Sequence, residues 1–146
     1  DKVPVGVFTK AVTSYLPDRM ALPTEFTAAD AVSLYNDFFP DFDKAKADAM
    51  LADLRIQAHD KIGAMSKGTQ EKMQLCLTMS RAAKLYLLDE PLGGVDPAAR
   101  DYILQTILHN YSEDAALVLS THLIGDIEKV LDEVIFLQNG KVFQQA

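Results

Sequence analysis

An uninterrupted run of apolar residues that ends at two adjacent carboxylates constrains the fold of this chain more than any other feature. Residues Leu85 to Leu88 are all apolar, and Asp89 and Glu90 follow directly. Such a run is typical of a strand buried on both faces at the centre of a parallel sheet. Ligands bind beyond the carboxyl ends of these strands, so the two carboxylates could hold Mg²⁺ and position water in phosphate chemistry. On these residues alone, a solvated acidic turn is the simpler interpretation.

Composition limits the class of protein. The chain has 146 residues, of which 49% are hydrophobic, enough for one core that is either a single domain or a piece of a larger one. A net charge of -7 without a visible Lys/Arg cluster argues against a nucleic-acid partner. The single cysteine, Cys76, excludes an internal disulfide and suits a reducing compartment. No signal peptide or long apolar run is visible, so we expect a soluble cytoplasmic chain.

The first half of the chain predicts short strands followed by helices. The apolar stretches Val3–Thr9 and Val12–Leu16 are interpreted as strands. Two amphipathic helices follow: the first is capped by Thr27 and ended by Pro40, and the second starts at Asp43. These two helices form a small helical unit.

The second half alternates between helices and strands, which predicts a mainly parallel sheet. Helices are expected over Thr69–Ala83 and from Asp96-Pro97 onward. A second continuous apolar strand, Ala115–Ser120, ends at Thr121-His122. Near the end of the chain, Asn139-Gly140 predicts the turn of a hairpin.

Three further constellations accompany the acidic strand. Met65–Thr69 opens a helix, where Ser66 can act as the cap and Gly68 allows the close approach of an anion to free N–H groups. Gly93–Asp96 is a flexible turn that ends in a carboxylate. Ordinary helix caps are the simpler interpretation of both segments. His122 ends a strand beside the acidic one and is a candidate partner for a phosphate oxygen, although a lone histidine is usually structural.

In this order, the motifs resemble the ATP-binding subunit of ABC transporters. Met65-Ser-Lys-Gly-Thr69 resembles the signature motif, and Leu85–Glu90 resembles the Walker B strand with its catalytic glutamate. Gly93–Asp96 resembles the D-loop, and Thr121-His122 the switch histidine. Ser14–Asp18 occupies the place of the Q-loop.

The resemblance implies an α/β fold. This fold would be a partial RecA-like ABC ATPase core, with a mainly parallel sheet and flanking helices, plus a helical subdomain. Residues 1–19 would supply core strands and the Q-loop region, and residues 20–64 the helical subdomain that faces a membrane partner. Residues 65–146 would carry the signature motif, Walker B strand, D-loop and switch histidine.

The resemblance also implies a role for each site residue, with ATP and Mg²⁺ as cofactors. Asp89 would help to hold Mg²⁺, with Asp18 as a possible further ligand. Glu90 would polarise the attacking water, and His122 would contact the γ-phosphate. The remaining nucleotide-binding candidates, which include the signature residues facing the ATP of an opposite subunit, are Ser66, Lys67, Gly68, Thr69, Asp96 and Asp18.

Several departures from the family pattern matter. Lys67 and Thr69 replace a glycine and a glutamine of the signature motif, and Gly93 replaces a D-loop serine. Asp18 replaces the Q-loop glutamine, which leaves an acceptor but no amide donor. None of the seven glycines lies in a Gly-x-x-x-x-Gly-Lys-[Ser/Thr] loop. We therefore expect the carboxyl-terminal part of an ATP-binding subunit, inactive by itself because the P-loop is absent.

The expected parent protein powers solute transport through ATP-driven dimerisation of two nucleotide-binding subunits. It would lie on the inner face of the cell membrane through a transmembrane permease subunit. Ribosome-associated ABC proteins are one alternative, but their two cassettes and basic linkers are not visible here. Chromosome-maintenance ATPases also have a lobe without a P-loop, but Ala11 to Ile62 lacks the heptads of their coiled coil. A binding module without catalysis is the third alternative.

Overall fold

A three-stranded parallel sheet lies at the centre of the computed structural model, which describes residues 6–145 without the side chains of residues 126 and 143–145. Its strands are β1 (Thr13–Leu16), β2 (Leu85–Asp89) and β3 (Ala116–Ser120), in the order β1–β2–β3. The acidic strand β2 is therefore central, as predicted. Because all three strands run parallel, their carboxyl ends meet at one edge of the sheet.

Six α-helices and a separate hairpin accompany this sheet in the described residues. The α-helices are α1 (Val7–Ala11), α2 (Ala28–Phe38), α3 (Lys44–Asp53), α4 (Lys67–Met79), α5 (Pro97–Asn110) and α6 (Ile124–Ile127). The strands β4 (Ile135–Gln138) and β5 (Lys141–Gln145) pair antiparallel across Asn139 and Gly140, which confirms the predicted turn. Within the described residues, no helix is both long enough and apolar enough to cross a membrane.

The predicted caps begin four of the helices. The N–H of Asp30 donates to Thr27 Oγ1 at 3.1 Å, and the N–H of Thr27 donates to the Asp30 carboxylate at 2.9 Å. Asp43, Ser66 and Asp96 accept in the same way from the first turns of α3, α4 and α5. Each side chain satisfies a helical N–H group that has no partner within the helix.

The strand predicted over Val3–Thr9 is wrong where the structure describes it, and the residues before Gly6 lie outside the described part. Helix α1 occupies this place. The hydroxyl of Thr9 donates to the Gly6 carbonyl at 3.0 Å and accepts from the Gly6 N–H at 2.8 Å. This local pairing competes with the ladder bonds that a strand needs from a neighbour. The strand predicted over Val12–Leu16 is confirmed as β1.

Buried apolar side chains form two clusters that share helix α4. Tyr86 of β2 and Met79 of α4 belong to a cluster between the sheet and α5. Ala31 of α2 and Cys76 of α4 belong to a cluster within the helical unit of α2 and α3. Helix α4 therefore packs on the sheet and on the helical unit at once. The boundaries drawn at residues 19 and 64 stay a prediction.

A buried arginine joins the helical unit to the sheet. Arg81, only 3% exposed, donates from Nε and Nη2 to the two carboxylate oxygens of Asp41 at 2.9 and 3.1 Å. The same guanidinium donates to the carbonyls of Thr13 and Ala11 at 2.6 and 2.7 Å. Its central carbon also lies 3.9 Å from the centre of the Phe39 ring. One cation thus connects the segment between α2 and α3 with the start of β1.

The expectation that β2 is buried on both faces is wrong. Tyr86 is buried against α4 and α5, whereas Leu87, which points the other way, is only partly buried. In the sheet register Leu87 stands between Tyr15 and Val118, and both of these residues are 55% exposed. The described residues therefore leave one apolar face of the sheet uncovered. We call Tyr15, Leu87 and Val118 the open face.

Candidate functional site

The parallel register brings an acidic pair and a histidine to the carboxyl edge of the sheet. Asp89 ends β2 and pairs with Ser120, which ends β3. His122 follows two residues later, and its Nδ1 lies 3.3 Å from Glu90 Oε1. The predicted closeness of His122 to the acidic pair is therefore confirmed, while the catalytic roles of these residues stay predictions.

Ser120 is a site residue that the sequence reasoning missed. Its hydroxyl donates to Asp89 Oδ1 at 2.7 Å, and the N–H of Glu90 donates to Ser120 Oγ at 2.9 Å. The sequence contains only a weak signal for this contact, a hydroxyl residue at the end of the second apolar strand. The register of β2 against β3 is needed to place it beside the acidic pair.

Glu90 combines an unusual backbone conformation with an unsatisfied carboxylate. Its φ angle is 46°, in the left-handed region, which for a residue other than glycine costs about 1–2 kcal/mol. The side chain is 34% exposed, yet Oε2 is buried and has no hydrogen-bond partner among the described residues. Backbone strain and unsatisfied buried polar atoms both occur preferentially at functional sites. One carboxylate oxygen of Glu90 is therefore buried without a protein donor among the described residues.

Gly93 lies directly beside this oxygen. Its N–H donates to the Glu90 carbonyl at 3.0 Å, so the backbone turns tightly around Glu90. A Cβ atom built on Gly93 would lie 3.3 Å from that carbonyl oxygen and 3.5 Å from Glu90 Oε2. The glycine at this D-loop position thus removes atoms from the immediate neighbourhood of the unpaired carboxylate oxygen.

Asp18 lies in the same cleft as the acidic pair. It follows the end of β1, and the cleft is lined by Asp18, Asp89 and Glu90 together with Glu71 and Gln74 of α4. In the described part of the chain, however, no three His, Cys, Asp or Glu side chains are close enough to hold a metal ion. The cleft is therefore acidic without being a complete metal cage.

This arrangement fits Mg²⁺ that shares its ligands with a phosphate. Mg²⁺ prefers oxygen ligands, keeps several waters, and in phosphate-transfer sites takes only one or two carboxylates from the protein. Asp89 is held by Ser120 through one oxygen, and Glu90 Oε2 is unpaired. The donor set suits a nucleotide-bound Mg²⁺ and does not suit a cation held by protein alone.

The signature residues begin α4 and are separate from this cleft. The N–H of Thr69 donates to Ser66 Oγ at 3.2 Å, and the two hydroxyls lie 2.8 Å apart. A Cβ on Gly68 would meet no described atom within 4 Å, so the backbone there is open to a ligand. Lys67 is 84% exposed, and its Nζ lies 3.9 Å from Glu71. Of the described residues that line the acidic cleft, none belongs to this segment.

Asp96 acts as a helix cap in the structure. The N–H of Ala98 donates to Asp96 Oδ1 at 3.4 Å, and Pro97 is the first residue of α5. The simpler interpretation of this aspartate is therefore confirmed. A contact between Asp96 and nucleotide stays a prediction.

Comparison with known proteins gives one family and many relatives. A family model described as "AAA domain, putative AbiEii toxin, Type IV TA system" matches residues 11–125. The ABC transporter ATP-binding protein YtrB of Bacillus subtilis is 26% identical over 129 residues, which cover 88% of this chain and 44% of YtrB. The glutamine transport ATP-binding protein GlnQ of Escherichia coli is 30% identical over 93 residues, 64% of this chain and 39% of GlnQ. The chain thus spans less than half the length of these two relatives.

Solved structures agree on the fold. The structure of an ATP-binding subunit of an ABC transporter superposes with a TM-score of 0.80 at 24% identity, covering 94% of this chain and 59% of that one. A dimeric post-hydrolysis state of the ATP-binding cassette MJ0796, bound to ADP and Pi, gives a TM-score of 0.75 at 19% identity, with coverages of 92% and 62%. These likenesses confirm the predicted α/β fold of an ABC ATPase core.

Proposed function

Because the chain belongs to the AAA-domain family, and its relatives are ATP-binding proteins of ABC transporters, we propose that it is part of an ATPase subunit that powers solute transport across a membrane. One observation carries this proposal: Asp89, Glu90 and His122 share one edge of the sheet, and Glu90 Oε2 is buried there without a partner among the described residues. A carboxylate of this kind can orient and activate a water molecule for attack on a phosphate.

Each residue of the edge has a distinct task in this proposal. Glu90 accepts a hydrogen bond from the attacking water, since Oε2 has no competing donor in the described part of the chain. With both ring nitrogens protonated, His122 would donate from Nδ1 to the other carboxylate oxygen and from Nε2 to a phosphate oxygen. Asp89 would hold Mg²⁺, with Asp18 across the cleft as a further candidate. When bound, Mg²⁺ would neutralise negative charge on the phosphates.

In our proposal, other polypeptide segments supply the loop that binds the phosphates, the second nucleotide-binding subunit and the membrane partner. The sequence contains no Gly-x-x-x-x-Gly-Lys-[Ser/Thr] loop, whose backbone N–H groups bind the β- and γ-phosphates. We expect another polypeptide segment to supply it. Ser66 and Gly68 would then contact the ATP held by a second nucleotide-binding subunit. A transmembrane permease on the inner face of the membrane would receive the resulting motion.

The first test uses the chain alone. We expect no hydrolysis of Mg-ATP above the buffer control, because most donors for the β- and γ-phosphates are missing from the sequence. Isothermal titration calorimetry measures binding, and phosphate release measures hydrolysis. A dissociation constant in the micromolar range would contradict the need for a separate phosphate cradle.

The second test uses a longer polypeptide that joins this chain to a P-loop segment. Glu90→Gln should lower turnover by about 10²-fold or more while ATP binding persists, because the change keeps the side-chain shape and removes only the charged acceptor. His122→Ala should lower turnover as well. The matched controls are Glu113→Gln, in the turn before β3, and His109→Ala, on α5, both at exposed positions. Wild-type turnover in Glu90→Gln would refute its catalytic role.

A further inference from the structure

We propose that Ser120 is a positioning residue for the acidic pair: one hydroxyl fixes the Asp89 carboxylate and holds the backbone of Glu90 in its left-handed conformation. The role that we assign to Ser120 in catalysis rests on the proposed ATPase function. The two hydrogen bonds themselves depend only on the contacts of β2 with β3.

The two hydrogen bonds of Ser120 are mutually consistent. A hydroxyl has one hydrogen to donate and lone pairs to accept. The hydrogen is directed to Asp89 Oδ1 at 2.7 Å, a distance typical of a charge-assisted bond. A lone pair of the same oxygen accepts the N–H of Glu90 at 2.9 Å. One orientation of the hydroxyl therefore allows hydrogen bonds to both residues of the acidic pair.

The acceptor bond determines where the Glu90 side chain points. With φ at 46°, the chain turns sharply as it leaves β2, and the carboxylate is directed to His122 and into the cleft. With an extended backbone, Glu90 would direct its side chain away from His122 and the cleft. Two bonds stabilise the turn: Glu90 N–H to Ser120 Oγ on one side, and Gly93 N–H to the Glu90 carbonyl on the other. Only the first comes from a different strand and ties the turn to the sheet.

The donor bond commits one oxygen of Asp89, and the other oxygen has no hydrogen-bond donor within the described residues. A carboxylate held in this way presents a single oxygen in a fixed direction, which suits the coordination of a cation shared with phosphate. Ser120 lies at the exposed end of β3, where water could satisfy its hydroxyl equally well. The convergence of both bonds on adjacent acidic residues indicates a function beyond ending the strand.

Threonine and valine at position 120 provide a matched pair of variants. Both are β-branched and favour strands, so both should keep β3, and they differ only in the hydroxyl. Ser112→Ala removes a serine side chain just before the other end of β3 and serves as the control. The readout is the amide hydrogen-exchange rate of Glu90 by nuclear magnetic resonance, with Leu88 in the same strand as an internal reference.

We expect Ser120→Val to raise the exchange rate of the Glu90 amide by about tenfold, the effect of one lost hydrogen bond, while Leu88 is unchanged. Ser120→Thr and Ser112→Ala should stay within about threefold of wild type. Equal exchange in Ser120→Val and Ser120→Thr would overturn the proposal. If Ser120→Val does not fold, Ser120→Ala replaces it in the same comparison and is judged by the same criterion.

The exchange rates need neither nucleotide nor cation, so they separate this inference from the proposed function. In the longer polypeptide that joins this chain to a P-loop segment, Ser120→Val should lower turnover by about fivefold relative to wild type and Ser120→Thr. Equal turnover in all three proteins would overturn the positioning of Asp89 by Ser120. No turnover in the wild-type polypeptide would instead contradict the proposed function, and the exchange rates would still decide whether Ser120 holds Glu90.

Discussion

Cys76 shows at the scale of one residue how burial decides reactivity. The thiol is fully buried on α4, and this desolvation, with a smaller contribution from Asp53, raises its pKa from 9.0 to about 12. The raised pKa also makes the free energy of unfolding fall as the pH rises from about 9 toward 12, because only the unfolded chain ionises readily there. At neutral pH the residue behaves as a small apolar side chain.

We therefore expect Cys76 to react about 10³-fold more slowly with a thiol reagent at pH 8 in the folded chain than in urea, in proportion to the fraction of thiolate. The absorbance of released thionitrobenzoate measures the rate. The chain carries no other cysteine, so Cys76→Ser provides the blank. Comparable rates in the two conditions would show that the thiol is accessible in the native state.

The same scale separates what the sequence can and cannot predict about the site. The proximity of His122 to Glu90 followed from strand ends alone, because parallel strands meet at a common edge. Ser120 could not be found in this way, since its contacts depend on the register of β2 against β3. The left-handed backbone of Glu90 was equally hidden, because glycine and asparagine are the usual signals for that conformation.

For the helices and strands, local sequence signals predicted the helix starts, whereas contacts between distant residues could not be predicted. The caps at Thr27, Asp43 and Ser66 were predictable because each side chain binds an N–H group within its own first turn. Helix α1 was missed because an isolated apolar stretch does not reveal whether a strand neighbour exists. The contact of Arg81 with Asp41 joins residues 40 positions apart, and no local sequence pattern predicts it.

Asp41→Asn tests how strongly the helical unit depends on Arg81. The variant keeps the shape of the side chain but removes the charge that balances a guanidinium only 3% exposed. We expect the free energy of unfolding to fall by about 2–3 kcal/mol, measured by urea denaturation. Asp37→Asn, an exposed position on α2, should change it by less than about 0.5 kcal/mol. Similar effects of both changes would show that Arg81 is balanced by its carbonyl partners alone.

At the scale of the whole molecule, the resemblance to ABC ATP-binding subunits predicted the sheet and its flanking helices, and the likeness to solved structures confirms that architecture. The open face differs from the burial on both sides that the apolar run of β2 indicates. Tyr15 and Val118 are each 55% exposed on that face. Exposed apolar areas larger than about 400 Å² favour association with other molecules.

We expect the chain to associate with itself in a concentration-dependent way through the open face. Val118→Thr keeps the strand but replaces a methyl group with a hydroxyl, and it should weaken association. Val130→Thr makes the same change at a residue that is 42% exposed outside the sheet, and it should have little effect. Light scattering at several concentrations measures the outcome. A monomer at every concentration, with cooperative unfolding and no binding of an apolar dye, would contradict this expectation.

The long sequence separation between the paired strands β1 and β2 affects the rate of folding. Thr13 pairs with Leu85, so the chain leaves the sheet, forms the helical unit, and returns before the first two strands can meet. Closing so long a connection carries a large entropic barrier, and parallel pairings of this kind form slowly. A helical unit that is already compact shortens the effective connection. The rate of sheet formation should therefore follow the stability of α2 and α3, which contribute no residue to the sheet itself.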